Sequence, residues 1–177
     1  MKSWKLLSHR RAYTSPWLSV DKKILKRPNG SVGEYYIVNR KPVVIILARR
    51  GGKFLLVNEY RAAVGKRVWS FPAGYTESKN FLSDAKRELK EETGFRAKTW
   101  LPLGKFHHNP GLLDDLASVF LATGLIPGQA EREPGEGDLR MKWFTLKQVR
   151  AKIKKNEVFG AGFLASLLLF SLKRKRS

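Results

Sequence analysis

The segment RELKEETGF, residues 87 to 95, sets Glu88, Glu91 and Glu92 within five positions of a 177-residue chain that holds 15 acidic residues against 35 basic ones. On a helix, Glu88 and Glu92 stack one turn apart, and Glu91 stands three positions from Glu88. Like charges at that spacing destabilise a helix by roughly 0.2–0.5 kcal/mol. Carboxylates near a helix C-terminus also oppose its dipole. Local helix physics therefore does not account for the cluster, whereas a hard divalent cation does. Mg²⁺ takes carboxylate and carbonyl oxygens and keeps several waters for exchange with phosphate. The competing reading of the same nine residues is a solvated helix laced by Arg87, Lys90 and Glu91.

The elements that must position these carboxylates carry local signals. Asn80 is placed to cap FLSDAKRELKEET, in which Leu82, Ala85 and Leu89 recur at i, i+3 and i+7, and Gly94 is placed to end it. WLSVDKKIL and SVGEYYIV flank PNG and read as a hairpin across residues 17–38. VVIILA and KFLLVNEY flank RRGG in the same way at 43–60, VWSF at 68–71 runs into Pro72, and ASVFLAT and MKWFT complete a mixed sheet. GLIPGQAEREPGEGD reads as a surface loop. Thr145 and Gln148 have capping-box spacing ahead of LKQVRAKIKK, and the apolar run after Gly160 supplies a last helix.

Length and 42% hydrophobic content suit one good core with an appendage. The appendage falls in residues 1–42, a small antiparallel β-subdomain, and the main domain in 43–177. The absence of cysteine excludes disulfides and cysteine-ligated zinc, and makes a cytoplasmic location the easier reading. MKSWKLLSHRRAYTS lacks the apolar core of a secretion signal. VFGAGFLASLLLFSL, residues 158–172, is uncharged but shorter than the roughly 20 apolar residues a bilayer span needs. It reads as a buried helix, with no membrane partner expected. Residues 140–177 carry eleven Lys and Arg against Glu157 alone, or +10 of the net +20. A field of that size attracts nucleotides, nucleic acid or acidic lipid alike, so an anionic partner is expected without being named.

FPAG followed by a short loop and RELKEETGF resembles the signature of the Nudix hydrolase superfamily, G-x5-E-x7-R-E-U-x-E-E-x-G-U. Arg87, Glu88, Leu89, Glu91, Glu92, Gly94 and Phe95 match its second half completely. From Gly74 to Arg87 the chain is one residue shorter than the pattern, and the first Glu falls at Lys79 or Asn80. Either Glu77 stands in for it from the loop or the site does without it. SPWLSV, GEYYIVNRKPVVIILA, LLVNEYRAAVGKRVWSFPAG, Pro110 within HHNPGLLDD and the closing NEVFGAGFLASLLLF resemble the branch of ADP-ribose pyrophosphatases and related nucleoside-diphosphate-sugar hydrolases.

That resemblance implies an α/β (α+β type) fold, a Nudix α/β/α sandwich with a mixed sheet, preceded by the small N-terminal antiparallel sheet. It implies hydrolysis of a small nucleoside diphosphate sugar with Mg²⁺, Mn²⁺ being the alternative. By the family pattern Glu88, Glu92 and the Ala73 carbonyl bind the metal, Glu91 assists and Arg87 holds the carboxylates in place. A loop carboxylate in EREPGEGD serves as base, with Glu136 and Asp138 best placed and Glu133 third. Tyr35 matches an aromatic position that stacks on the base, and Arg40 and Arg61 match positions that contact phosphate or ribose. The branch also implies a homodimer completed through the N-terminal sheet. The alternative of a different class is a Nudix fold that binds RNA or another polyanion through the basic C-terminus KRKR, with capped RNA as an intermediate case.

Overall fold

A computed structural model describes residues 3–131, 138–157 and 160–174. Backbone proximity divides the chain into two compact units, Met1–Pro42 with His107–Leu116, and Val43–Phe106 with Ala117–Ser177.

In the first unit β1 (Lys5–Thr14), β2 (Ser19–Lys26) and β3 (Val32–Asn39) form an antiparallel meander, and β9 (Leu113–Asp114) adds a short parallel edge to β3. The β2–β3 turn is the PNG of the sequence. Gly30 takes a φ of 90°, and the Asn29 side chain accepts from the Ser31 N–H at 3.0 Å. The strand β1 was not foreseen. KLLSHRRAYT does not alternate, and every one of its residues is exposed. Its register comes instead from β2, where buried Asp21 receives Arg11 Nε at 2.5 Å and has His9 Nε2 at 3.0 Å. Burial by itself would raise the Asp21 pKa, but the bonds from His9, Arg11 and Asn39 outweigh it and hold the carboxyl below its ordinary value.

The second unit is built on a sheet in the order β11-β5-β4-β10-β8, with β6 beside β5 and β7 beside β4. Its strands are β4 (Val43–Arg50), β5 (Lys53–Arg61), β6 (Lys66–Ser70), β7 (Ala73–Tyr75), β8 (Arg96–His107), β10 (Leu116–Ile126) and β11 (Arg140–Thr145). The central β4 is buried on both faces, which is why it reads as a continuous apolar run. Val43, Ile45 and Leu47 join Phe54, Leu56, Val149, Phe163, Leu167 and Phe170 in one core. Val44, Ile46 and Ala48 join Leu55, Ala85, Leu89 and Phe120 in the other. The helix α1 (Phe81–Thr93) therefore covers one face, while α2 (Leu146–Lys154) and α3 (Ala161–Arg174) cover the opposite one. This is the expected α/β/α layering. The strand β8 was also unforeseen, because Pro102 and Gly104 in RAKTWLPLGKFH read as breakers.

The caps of α1 are as expected. Asn80 Oδ1 accepts from the N–H groups of Leu82 and Ser83 at 3.1 and 3.2 Å, and Gly94, at φ 75°, donates its N–H to Lys90 O at 2.8 Å. A Cβ on Gly94 would lie 2.6 Å from Gly128 O and 2.8 Å from Ala130 N, both backbone atoms that cannot swing aside. Gly94→Ala is thus expected to cost about 1–3 kcal/mol through left-handed strain and this collision. An unchanged urea midpoint in the variant would contradict that packing.

Candidate metal and catalytic site

The site begins at β7, whose Ala73 and Gly74 register with Ile45 and Val44 of β4. The Pro72 carbonyl adds an anchor, accepting from Ile46 N–H at 2.8 Å. Because α1 buries Ala85 and Leu89 against the same sheet, the helix phase directs Glu88 and Glu92 toward β7. Both are buried, at 8% and 4% exposure. Glu92 Oε1 lies 3.4 Å from the Ala73 N–H. The Glu88 carboxyl group fills the space beside Gly74 so closely that a Cβ there would overlap its Cδ and both oxygens.

Arg87 organises the outer side of this pair. Its Nη2 donates to Glu88 Oε1 at 2.7 Å and to the Tyr75 carbonyl at 2.9 Å, and its Nη1 donates to Glu91 Oε2 at 2.6 Å. Two further acids flank it, Glu77 with Oε2 at 3.7 Å from Nε and Asp84 with Oδ1 at 3.8 Å from Nη2. Burial works against the guanidinium charge, but Glu88 and Glu91 outweigh it and raise its pKa. Arg87 thus laces the helix through Glu91, as the solvated-helix reading has it, and is also fastened to β7 through the Tyr75 carbonyl.

Asp84 was not foreseen as part of the site. Its buried carboxylate accepts from the N–H groups of Glu77 and Ser78 at 3.1 and 3.3 Å and from Ser78 Oγ at 3.0 Å. It thereby fixes the loop that is one residue shorter than the family pattern. The available signal was an acid in the first turn of α1, three residues before Arg87. Since Glu77 reaches Arg87 from this loop and Lys79 has no such acid to offer, Glu77→Gln is expected to slow turnover by about threefold to tenfold. Lys79→Ala should be nearly neutral. Steady-state kinetics on the two variants would refute the proposed loop register if they slowed equally.

The donor set suits a hard divalent cation. Two buried carboxylates share one helix face and close on a main-chain segment that offers carbonyl oxygens, and Gly74 leaves room for a carboxyl group where any side chain would obstruct it. Among the described residues no three His, Cys, Asp or Glu side chains form a closed metal cluster. Mg²⁺ does not require one, since it usually binds one or two carboxylates and keeps waters.

Glu133 and Glu136 fall outside the described residues. Asp138 is ion-paired with Arg67 Nη1, and its carbonyl accepts from Arg67 Nη2 at 2.8 Å. Arg67, a residue not singled out from the sequence, also donates from Nε to Asn58 Oδ1 at 2.8 Å and so ties the start of β11 to β5 and β6. Arg61, at the end of β5, pairs with Glu59 at 2.9 Å. Tyr35 and Arg40 belong to the first unit. There the Tyr35 hydroxyl accepts from Arg27 Nε at 2.9 Å, and its ring meets Trp4 edge-on.

Comparison with known proteins decides the family. The NUDIX domain model matches residues 38–167, most of the second unit and the whole carboxylate site. The chain belongs to the NUDIX family. A second model, the nucleoside diphosphate sugar hydrolase N-terminal domain, matches residues 4–38, which hold β1, β2 and nearly all of β3. An ADP-ribose pyrophosphatase of Mycobacterium tuberculosis is 28% identical over 169 residues, covering 93% of this chain and 82% of that protein. An ADP-ribose pyrophosphatase of Bacillus subtilis is 27% identical over 172 residues, covering 96% of this chain and 93% of that one. A solved structure of an ADP compounds hydrolase superimposes with a TM-score of 0.88 at 20% identity, over 99% of this chain and 96% of its own. That last likeness establishes the NUDIX fold. The matched span includes α1, which carries Arg87, Glu88, Glu91 and Glu92, and β7, which carries Gly74.

Proposed function

We propose that the protein hydrolyses the diphosphate linkage of ADP-ribose or a related nucleoside diphosphate sugar, releasing a nucleoside monophosphate and a sugar phosphate. The observation that carries this reading is the closure of the Glu88 and Glu92 carboxylates on Ala73 and Gly74, in a NUDIX chain collinear with two ADP-ribose pyrophosphatases. A diphosphate resists attack by water until its oxygens are neutralised and the nucleophile is oriented in line. Mg²⁺ or Mn²⁺, when bound, supplies Lewis acidity toward both the phosphate oxygens and water.

This chain's own residues supply the rest. Glu88 and Glu92 hold the cation together with the Ala73 carbonyl, Glu91 assists, and Arg87 keeps the carboxylates oriented through its bonds to Glu88, Glu91 and the Tyr75 carbonyl. Glu136 or Asp138 takes the proton from water. Asp138 is committed to Arg67 in this structure, so Glu136 is the better choice of the two. Arg61 and Arg40 hold phosphate or ribose, and Tyr35 stacks on the base, a contact worth about 1–3 kcal/mol where it forms. The exposed apolar side chains of β1, among them Leu6 and Leu7, support a homodimer formed through the N-terminal sheet. The absence of cysteine supports a cytoplasmic location.

The test is a phosphate-release screen over nucleoside diphosphate sugars with a coupled phosphatase, with and without MgCl₂. AMP and ribose 5-phosphate are expected from ADP-ribose, in a cation-dependent reaction. Release of no monophosphate from any such substrate, together with RNA retention at physiological salt, would favour the polyanion-binding reading instead. RNA binding through the tail would also weaken steeply with salt. The tail residues 175–177 lie outside the described residues.

A further inference from the structure

The helix α3 presents a face that the NUDIX core does not use. Phe163, Ser166, Leu167 and Phe170 turn inward, and Leu169 packs on β8 at Gly104. Outward, Leu164, Leu168 and Leu172 recur at i, i+4 and i+8 and are 46%, 59% and 52% exposed. No charged or amide side chain interrupts residues 161–172, so the helix is apolar nearly all round, a pattern that ordinarily means burial on every side. The stripe then runs directly into basic sequence, Lys173, Arg174, Lys175 and Arg176, of which Lys173 is described and exposed.

We propose that this stripe and the basic end of α3 dock the protein on an anionic lipid surface, with the three leucines entering the headgroup boundary and the cations meeting acidic headgroups. The exposed leucines are followed in sequence by KRKR, so apolar insertion and attraction to anionic lipid would act together at this end of the chain. A helix docked in this way lies on a bilayer without crossing it, in keeping with the finding that no helix among the described residues is long and apolar enough to span one. The surface differs from the expectation of no membrane partner, which weighed only a spanning anchor.

Two physical arguments choose lipid over a second copy. A stable specific interface buries about 800 Å² per partner, and three half-exposed leucines offer only a fraction of that. Residues 140–177 also carry +10, so pairing this region with itself brings like charge together, whereas an anionic bilayer is its electrostatic complement.

The full chain would be sedimented with vesicles of phosphatidylcholine alone and with vesicles containing about one third phosphatidylserine. Binding is expected only to the anionic vesicles, and to weaken as salt is raised. The triple variant Leu164→Ser, Leu168→Ser, Leu172→Ser should lose at least about tenfold in vesicle affinity, because insertion follows buried apolar area. Leu168→Ala should fall between, and both variants should hydrolyse soluble substrate as the wild type does. Failure of the wild type to sediment with anionic vesicles overturns the proposal. So does undiminished vesicle binding by a folded triple variant, which would leave only diffuse electrostatics. A triple variant that halves the mass measured by light scattering would show the stripe to be a contact between copies. Retention of an unstructured RNA by protein that ignores vesicles would make the basic end a nucleic-acid handle.

Discussion

Glu88→Gln and Glu92→Gln are each expected to lower kcat for ADP-ribose by about a hundredfold or more, with little change in folded stability. The rate falls because each change removes a charged oxygen ligand from a site whose cation carries most of the electrostatic work of phosphoryl transfer. Stability should hold or rise. The two carboxylates are buried like charges one helical turn apart, so neutralising one relieves repulsion, and a glutamine amide can still accept from Arg87 or from the Ala73 N–H. A readout independent of turnover accompanies this. Added MgCl₂ should raise the thermal midpoint of the wild type by mass action, and the double variant should lose that shift. Undiminished activity in the double variant would remove the metal assignment altogether.

Gly74→Ala is expected to be nearly as damaging to turnover while costing less than about 1 kcal/mol in stability. The reasoning separates two kinds of glycine in this chain. At Gly94 an added Cβ meets backbone in a left-handed conformation, so the fold suffers. At Gly74, which lies in β7 without a positive φ, the three atoms nearest the added Cβ all belong to the end of the Glu88 side chain. That carboxyl group can swing away, so the fold survives but the ligand leaves its place beside β7. Combining Gly74→Ala with Glu88→Asp shortens the displaced arm. The pair should be less harmful than the sum of the single changes, which a double-mutant cycle on kcat would reveal. Wild-type kinetics in Gly74→Ala would mean that Glu88 does not function from the position described.

The helix of the site was legible because its determinants are local. Asn80, Leu82, Ala85, Leu89 and Gly94 act through bonds and periodicities spanning four residues or fewer, and residues 81–93 fold as expected from them. The same holds for the capping box of Thr145 and Gln148, and for β4 and β5, whose apolar runs require burial on both faces. The stacking of Glu88 on Glu92 followed from helical geometry alone. Which main-chain atoms they would meet did not, because β7 reaches them only through its pairing with β4 and the packing of α1 on the same sheet.

Long-range contacts decided the remainder. Strands β1 and β8 have no alternation to announce them, since their conformation is imposed by partners, as Asp21 imposes it on β1 through His9 and Arg11. Asp84 is an ordinary first-turn acid until the shortened loop brings the Glu77 and Ser78 amides to it. Asp138, expected among the loop carboxylates, is engaged by Arg67 from 71 positions away. Residue type and spacing thus indicated which carboxylates share one helix face, because helical neighbours are set by covalent geometry. Their surroundings depended on sheet pairing and helix docking, whose partners lie too far apart in the chain for spacing to specify.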